Sequence, residues 1–227
     1  MAYDYLDLTN RVLSRVNEVK LTTGTFASAR GIQVQCKDAV NDAINFINQR
    51  EFQWPFNHVS GETTLVAGTT RYSFPSTMKV ANVDSFRIAK DESLGVSSQP
   101  LRVMDYSEYL DRHVGQEDDT TVEGGVPSRL VFTLDNNFLL YPYPDKAYTL
   151  RYDYFSQPVE LSASTDVPTI PSQYKATIVD GATAYLYQYR GERDQYEINF
   201  NRFERGITQM QTLLINKQAY VRSTVIR

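Results

Sequence analysis

Thr165-Asp166-Val167-Pro168-Thr169-Ile170-Pro171-Ser172-Gln173-Tyr174 is the stretch on which the fold turns. Before it, apolar residues recur at strand spacing. After it, they recur every third or fourth residue. Pro168 and Pro171 close the β-rich block, because proline donates nothing to a ladder and restricts the residue before it. Ser172 stands where an N-cap is needed. Tyr174, Ile178, Ala182, Tyr185 and Tyr189 then define one helical face up to Arg190-Gly191-Glu192. Beyond Gly191 the pattern tightens to Tyr196, Phe200, Phe203, Ile207, Met210 and Leu214. This alternation of fours and threes is the seam of a helix that packs on another helix.

The same signature opens the chain. Asp4 can cap a helix running to about Lys20, with Tyr5, Leu8, Val12, Val16 and Val19 as its apolar stripe and Arg11, Arg15 and Lys20 off it. A longer helix starts near Ser28 and runs to about Phe52, with its seam at Ile32, Cys36, Ala39, Ala43 and Phe46 or Ile47. Trp54-Pro55 ends it, and Trp54 is expected to wedge the helix end against the β block.

Between these helix pairs the period is two. Glu62–Val66 and Arg71–Pro75 read as a hairpin about Gly68, and Val80–Ala89 as one strand with Val83, Phe86 and Ile88 inward. Pro100–Met104 is short and extended. Asp105-Tyr106-Ser107-Glu108 has capping-box spacing and opens a short helix to about His113. Ser128–Leu134 and Phe138–Tyr141 flank an Asp135-Asn136-Asn137 turn and form the clearest hairpin. Tyr148–Phe155 follows, with Leu150, Tyr152 and Tyr154 on one face. The expected fold is therefore α+β. N- and C-terminal helix pairs form a four-helix bundle, with an inserted antiparallel β-sandwich or barrel. The expected division is 1–56 helical, 57–160 β with one short helix, 161–219 helical, and 220–227 a C-terminal arm.

Composition narrows the function. The chain has 227 residues and a net charge of −4, so it is no basic reader that neutralises many phosphates. Its 16 tyrosines suit half-buried protein contacts and β-strands equally. A single cysteine, Cys36, excludes an internal disulfide framework and reads as a small core residue. The first residues, Met1-Ala2-Tyr3-Asp4, lack a basic and apolar leader pattern, and no apolar run is long enough to span a membrane. Synthesis in a host cytoplasm is expected.

No stretch carries recognisable chemistry. His58 and His113 are isolated, and no Gly-x-Ser-x-Gly elbow or phosphate-cradling loop occurs. No catalytic residue, metal ligand or cofactor is assigned. Gly115–Pro127 carries Glu117, Asp118, Asp119, Glu123 and the Gly124-Gly125 pair. It does not match the calcium-loop spacing, and it reads as a solvated acidic loop that orders against a neighbouring subunit. Tyr220, Val221, Arg222, Val225, Ile226 and Arg227 make a β-prone, basic tail, either a frayed terminus or an arm reaching another chain.

Several segments together carry a resemblance. They are the helix pair ending at Trp54, Thr63–Gly68 with Tyr72-Ser73-Phe74-Pro75, and Val126-Pro127-Ser128-Arg129. To these add Phe138–Pro142 with Tyr143-Pro144-Asp145, Tyr148–Tyr154, and Val167–Pro171 with the following helices. In this order and spacing the chain resembles the head-to-tail adaptor proteins of short-tailed phages, the group that includes tail tubular protein A. The resemblance implies a virion protein at the head–tail junction. It would form a homo-oligomeric ring, a dodecamer in that group, docked beneath the portal protein, with the tail nozzle or tail fibre proteins on its far side. DNA would pass through the bore without specific binding. The arm 220–227 would then contact the portal or the next subunit. Two other readings stand beside it. One is a host-surface or carbohydrate-binding virion module using Tyr141, Tyr143 and Tyr148 as a stacking platform. The other is a hydrolase using the carboxylates of the acidic loop.

Overall fold

The computed structural model describes residues 3–118 and 123–215, and in it the chain divides into two compact units. One takes the chain up to Asn57 and again from Gln157; the other is His58–Ser156.

The first unit is helical. α1 (Tyr5–Arg15) starts at Asp4, whose carboxylate accepts the Asp7 amide at 2.7 Å. The return segment also serves its first turn: the amides of Tyr5 and Leu6 donate to the carbonyls of Asp166 and Ser164 at 2.8 and 3.1 Å. α1 stops well before Lys20 because Asn17 takes a left-handed conformation (φ 57°). The Glu18 amide then closes back on the Leu13 carbonyl at 2.9 Å, the wrap that satisfies orphan carbonyls at a helix end. Val19 therefore leaves the stripe and is 76% exposed, while Leu13, outside the expected stripe, is buried.

The link to the next helix is pinned rather than loose. Both backbone groups of Leu21 bond the Asn10 side chain, at 2.7 and 2.9 Å, and Phe26 packs edge-on against Tyr5. α2 (Ile32–Arg50) begins after Gly31, four residues later than the expected Ser28 start, and buries Cys36, Ala39, Ala43 and Ile47. Trp54 lies in this unit's core. Its indole N–H donates to the Ile47 carbonyl at 2.8 Å and its ring stacks on Phe56. A buried polar chain joins the exit of the chain to its return. Asn57 donates to Asn48 at 2.5 Å and accepts from the Thr169 hydroxyl at 3.0 Å.

α5 (Lys175–Arg190) follows a 3-10 turn at Ser172–Tyr174, so Ser172 makes no side-chain cap. It ends at Gly191 (φ 76°) with the Glu192 amide on the Tyr187 carbonyl, and α6 (Arg193–Leu214) follows. The four long helices share one apolar core. They do so around a hub, since α5 lies against α1, α2 and α6. Hence α5 is buried on most sides, at Ile178, Val179, Gly181, Ala182, Ala184 and Leu186. Tyr189, expected on its seam, is instead 65% exposed. Gly181 and Gly206 allow α5 and α6 to approach closely. A Cβ on Gly181 would fall 2.7 Å from the Phe203 ring, and one on Gly206 2.7 Å from Thr177.

The second unit holds two sheets. β1 (His58–Thr64), β9 (Thr149–Ser156), β4 (Arg87–Ile88) and β5 (Gln99–Pro100) run in that order, with β3 (Met78–Ala81) also on β9. The other sheet is β2 (Arg71–Ser73), β8 (Asn137–Tyr141), β7 (Arg129–Phe132) and β6 (Arg102–Met104). Neither sheet closes into a barrel. Among the strands named here every pairing is antiparallel except β6 on β7, which is parallel.

The hairpin expected across Gly68 does not form: β1 pairs with β9 and β2 with β8, in different sheets. The expected strand Val80–Ala89 is broken by a 3-10 turn at Val83–Ser85, which leaves Val83 41% exposed. The β7–β8 hairpin does form, with Asn136 at φ 58° in its turn. Leu150, Tyr152 and Tyr154 of β9 meet Leu130, Phe138 and Leu140 across one apolar core, rich in edge-on and stacked rings. Val131 and Leu139 lie in a second core with Met104 and Tyr109, under α3 (Tyr106–Arg112). Both faces of the β7–β8 hairpin are thus covered, which is why its sequence is a continuous apolar run. Glu108 makes no capping box; it pairs with Arg112 at 3.0 Å.

Candidate functional site

The acidic segment is partly built into the β unit. Gly115–Asp118 forms one helical turn, α4. There the buried Tyr109 hydroxyl donates to Glu117 Oε1 at 2.9 Å, and Arg71 Nη2 lies 3.4 Å from Glu117 Oε2. Arg71 also reaches Asp135 at 3.7 Å. Glu117 is thus exposed at the surface yet tied to the β unit by the Tyr109 hydroxyl and by Arg71. Glu123 is exposed. The side chain of Asp118, the whole of Asp119, and Tyr220, Val221, Arg222, Val225, Ile226 and Arg227 lie outside the described residues.

Gly124 and Gly125 have a packing role. A Cβ on Gly124 would fall 2.5 Å from the Tyr143 ring, and the Gly125 amide donates to the Tyr143 carbonyl at 2.9 Å. The three tyrosines expected to form a platform are separated by burial. Tyr148 is 2% exposed, its hydroxyl donating to Asp145 at 2.5 Å, and burial raises its pKa to about 12. Tyr141 is partly buried, with its ring 4.0 Å from that of His113. With Tyr148 buried, these three rings do not form a shared exposed surface.

His58 lies 3.6 Å from Asp153 on the β1–β9 face. Around it, Arg151 pairs with Glu62 at 2.6 Å and the Ser60 hydroxyl donates to Asp153 at 2.7 Å. This shallow cleft of about 410 Å³ spends its carboxylates on ion pairs and hydrogen bonds. Among the described residues no three histidine, cysteine or acidic side chains are grouped to hold a metal ion, and no helix is long and apolar enough to cross a membrane. Cys36 is fully buried, and desolvation raises its thiol to about 12, away from nucleophilic use.

The helical unit carries two patches of opposite sign. A cleft of about 470 Å³ between α1 and α5 is lined by Asp7, Arg11, Arg15, Lys20, Lys175 and Val179. Arg11 pairs with Asp7 at 2.8 Å and Arg15 with Asp180 on α5, and Lys20 and Lys175 add two further positive charges. On α2, Asp38 and Asp42 are exposed one turn apart. Glu160 joins them because Asn41 holds Leu161 by both backbone groups, at 3.0 and 3.2 Å. Partial burial, and then the charges of Asp38 and Glu160, raise the Asp42 pKa above the usual carboxylate value. The i, i+4 spacing of Asp38 and Asp42 was visible in the sequence. The approach of Glu160, and the meeting of Lys175 with the α1 cations, depend on tertiary packing.

Compared with known protein families, residues 3–226 match the model described as SU10 adaptor protein. No curated protein matches the chain.

Proposed function

We propose a function from one premise: the chain belongs to the SU10 adaptor protein family, structural adaptors of the phage head–tail junction. As a member it is a structural virion component, in a family that is not one of enzymes. The finer reading is our own. Copies of the chain form a closed ring under the portal, whose bore passes DNA toward the tail and whose far side receives the nozzle or fibres.

The observation that carries this reading is the family match over residues 3–226. The chain offers support of a physical kind. Its helical unit presents oppositely charged patches, and heterologous contacts between identical subunits close into rings. Its net charge of −4 suits a channel that releases phosphates and does not hold them. The narrower likeness to the tail tubular protein A group rests on the order of the quoted segments and belongs with this proposal. The sugar-binding reading loses its footing with Tyr148 buried.

Native mass measurement tests the ring. The chain released from intact particles is expected as a closed oligomer of about twelve copies, the number the resemblance implies. Particles that carry it only as a monomer, or lack it at the head–tail junction, would overturn the proposal.

A further inference from the structure

We propose that the basic cleft between α1 and α5 receives the acidic edge of α2 from a second copy of this chain. The inference deepens the ring reading and rests on it, since it names the lateral contact.

The argument starts from charge. The cleft gathers Arg11, Arg15, Lys20 and Lys175 around a single lining carboxylate, Asp7, with Asp180 on Arg15. Lys20 and Lys175 give it an excess that no described neighbour in the cleft offsets. The acidic edge is its complement: Asp38 and Asp42 at one-turn spacing, with Glu160 held beside them by the two bonds of Asn41 to Leu161. Three carboxylates of like sign in one place repel each other, and positive charge from outside relieves that repulsion. The raised Asp42 pKa is consistent with this strain.

Each patch also has an exposed apolar neighbour in sequence. Val19, beside Lys20, is 76% exposed, and Val159, beside Glu160, is 78% exposed. Apolar contact within a charged rim is the usual anatomy of a specific interface. The two patches share no residue, and they sit on different elements of one unit. In the ring reading the contact runs head-to-tail, and it leaves each copy able to bind a further copy on either side.

The test uses the full chain and two charge-reversal variants, Lys20→Glu/Lys175→Glu and Asp38→Lys/Asp42→Lys. All four positions are at the surface or half-buried. Sedimentation velocity is run at low and high salt up to millimolar protein. Wild type is expected to associate, more weakly in high salt. Each variant alone is expected to associate about tenfold or more weakly. A one-to-one mixture of the two variants is expected to regain association, because each then meets a surface of opposite charge. Milder variants, Lys175→Gln and Asp42→Asn, show the same ordering should a reversal fail to fold.

A wild type that stays monomeric throughout, variants that associate like wild type, or a mixture that regains nothing would each overturn the contact. Variant chains still found as closed rings on particles would sink this interface and leave the ring standing. Absence of any ring on wild-type particles would sink the ring itself.

Discussion

Cys36 and Asp166 show how single side chains report on the helical unit. Cys36 is fully buried on α2, and desolvation raises its thiol to about 12. A thiol reagent should leave it intact in the folded chain at pH 8 and modify it on addition of denaturant. Rapid native labelling would mean that α2 is loosely seated. Asp166 has the opposite shift. Its carboxylate accepts the amides of Ser162 and Ala163, each at 2.7 Å, and these bonds hold its pKa below the usual value. A depressed folded pKa contributes stability that is present above the unfolded value of about 3.9 and lost as pH falls through the folded one. The turn it closes also presents the Asp166 carbonyl to the first amide of α1. Asp166→Ala should therefore lower the melting temperature at pH 7. Melting curves taken down to pH 2 should show the gap to wild type closing below the ordinary carboxylate range. A gap of constant size would mean that the carboxylate does not hold the turn.

The close approach of α5 and α6 governs the next scale. Ala has better helix propensity than Gly by roughly 1 kcal/mol, so Gly181→Ala would stabilise an isolated α5. Here the added methyl would fall 2.7 Å from the ring of Phe203, which is fully buried and has nowhere to retreat. Overpacking of this kind typically costs ~1–3 kcal/mol, so the net effect should be destabilising. Adding Phe203→Leu to Gly181→Ala should cost less than the sum of the two changes, a coupling that a denaturant-unfolding double-mutant cycle reads directly. Strict additivity would show that the rings and glycines do not set the helix spacing.

Much of this element layer was legible. The seams at Cys36, Ala39, Ala43 and Ile47, and at Phe203, Ile207 and Met210, follow from spacing alone. Tyr189 fitted the spacing but lies beyond the part of α5 that its neighbours cover. Gly181 and Gly206 carried no signal, since a glycine's value depends on which side chain faces it. Strand pairing was legible only where it is local, at the Asn136 turn. Between Leu65 and Arg71 the residues look like a hairpin, yet Leu65 donates to the Tyr148 carbonyl at 2.7 Å, a partner far along the chain. Likewise the parallel register of β6 on β7, and the anchoring of Glu117 by Tyr109, join segments that no local pattern connects.

For the molecule as a whole, the question is what remains once the core is full. Leu214 and Ile215, the last of the described residues, pack against the helical core, which is already built from the four long helices. Deleting Tyr220–Arg227 should accordingly leave the melting temperature unchanged. The sequence of that tail, with Val221, Val225 and Ile226 among Arg222 and Arg227, suits a strand added to another chain's sheet edge. If it is an arm, the truncated protein should fold normally but fail to join capsids that display the portal, in a sedimentation assay that wild type passes. If it is only a frayed end, attachment persists. Stability and attachment are read separately, so an unchanged melting temperature with lost attachment would assign the tail to assembly. A lowered melting temperature would place it in the fold instead, and unchanged attachment would remove the arm from the head–tail junction altogether.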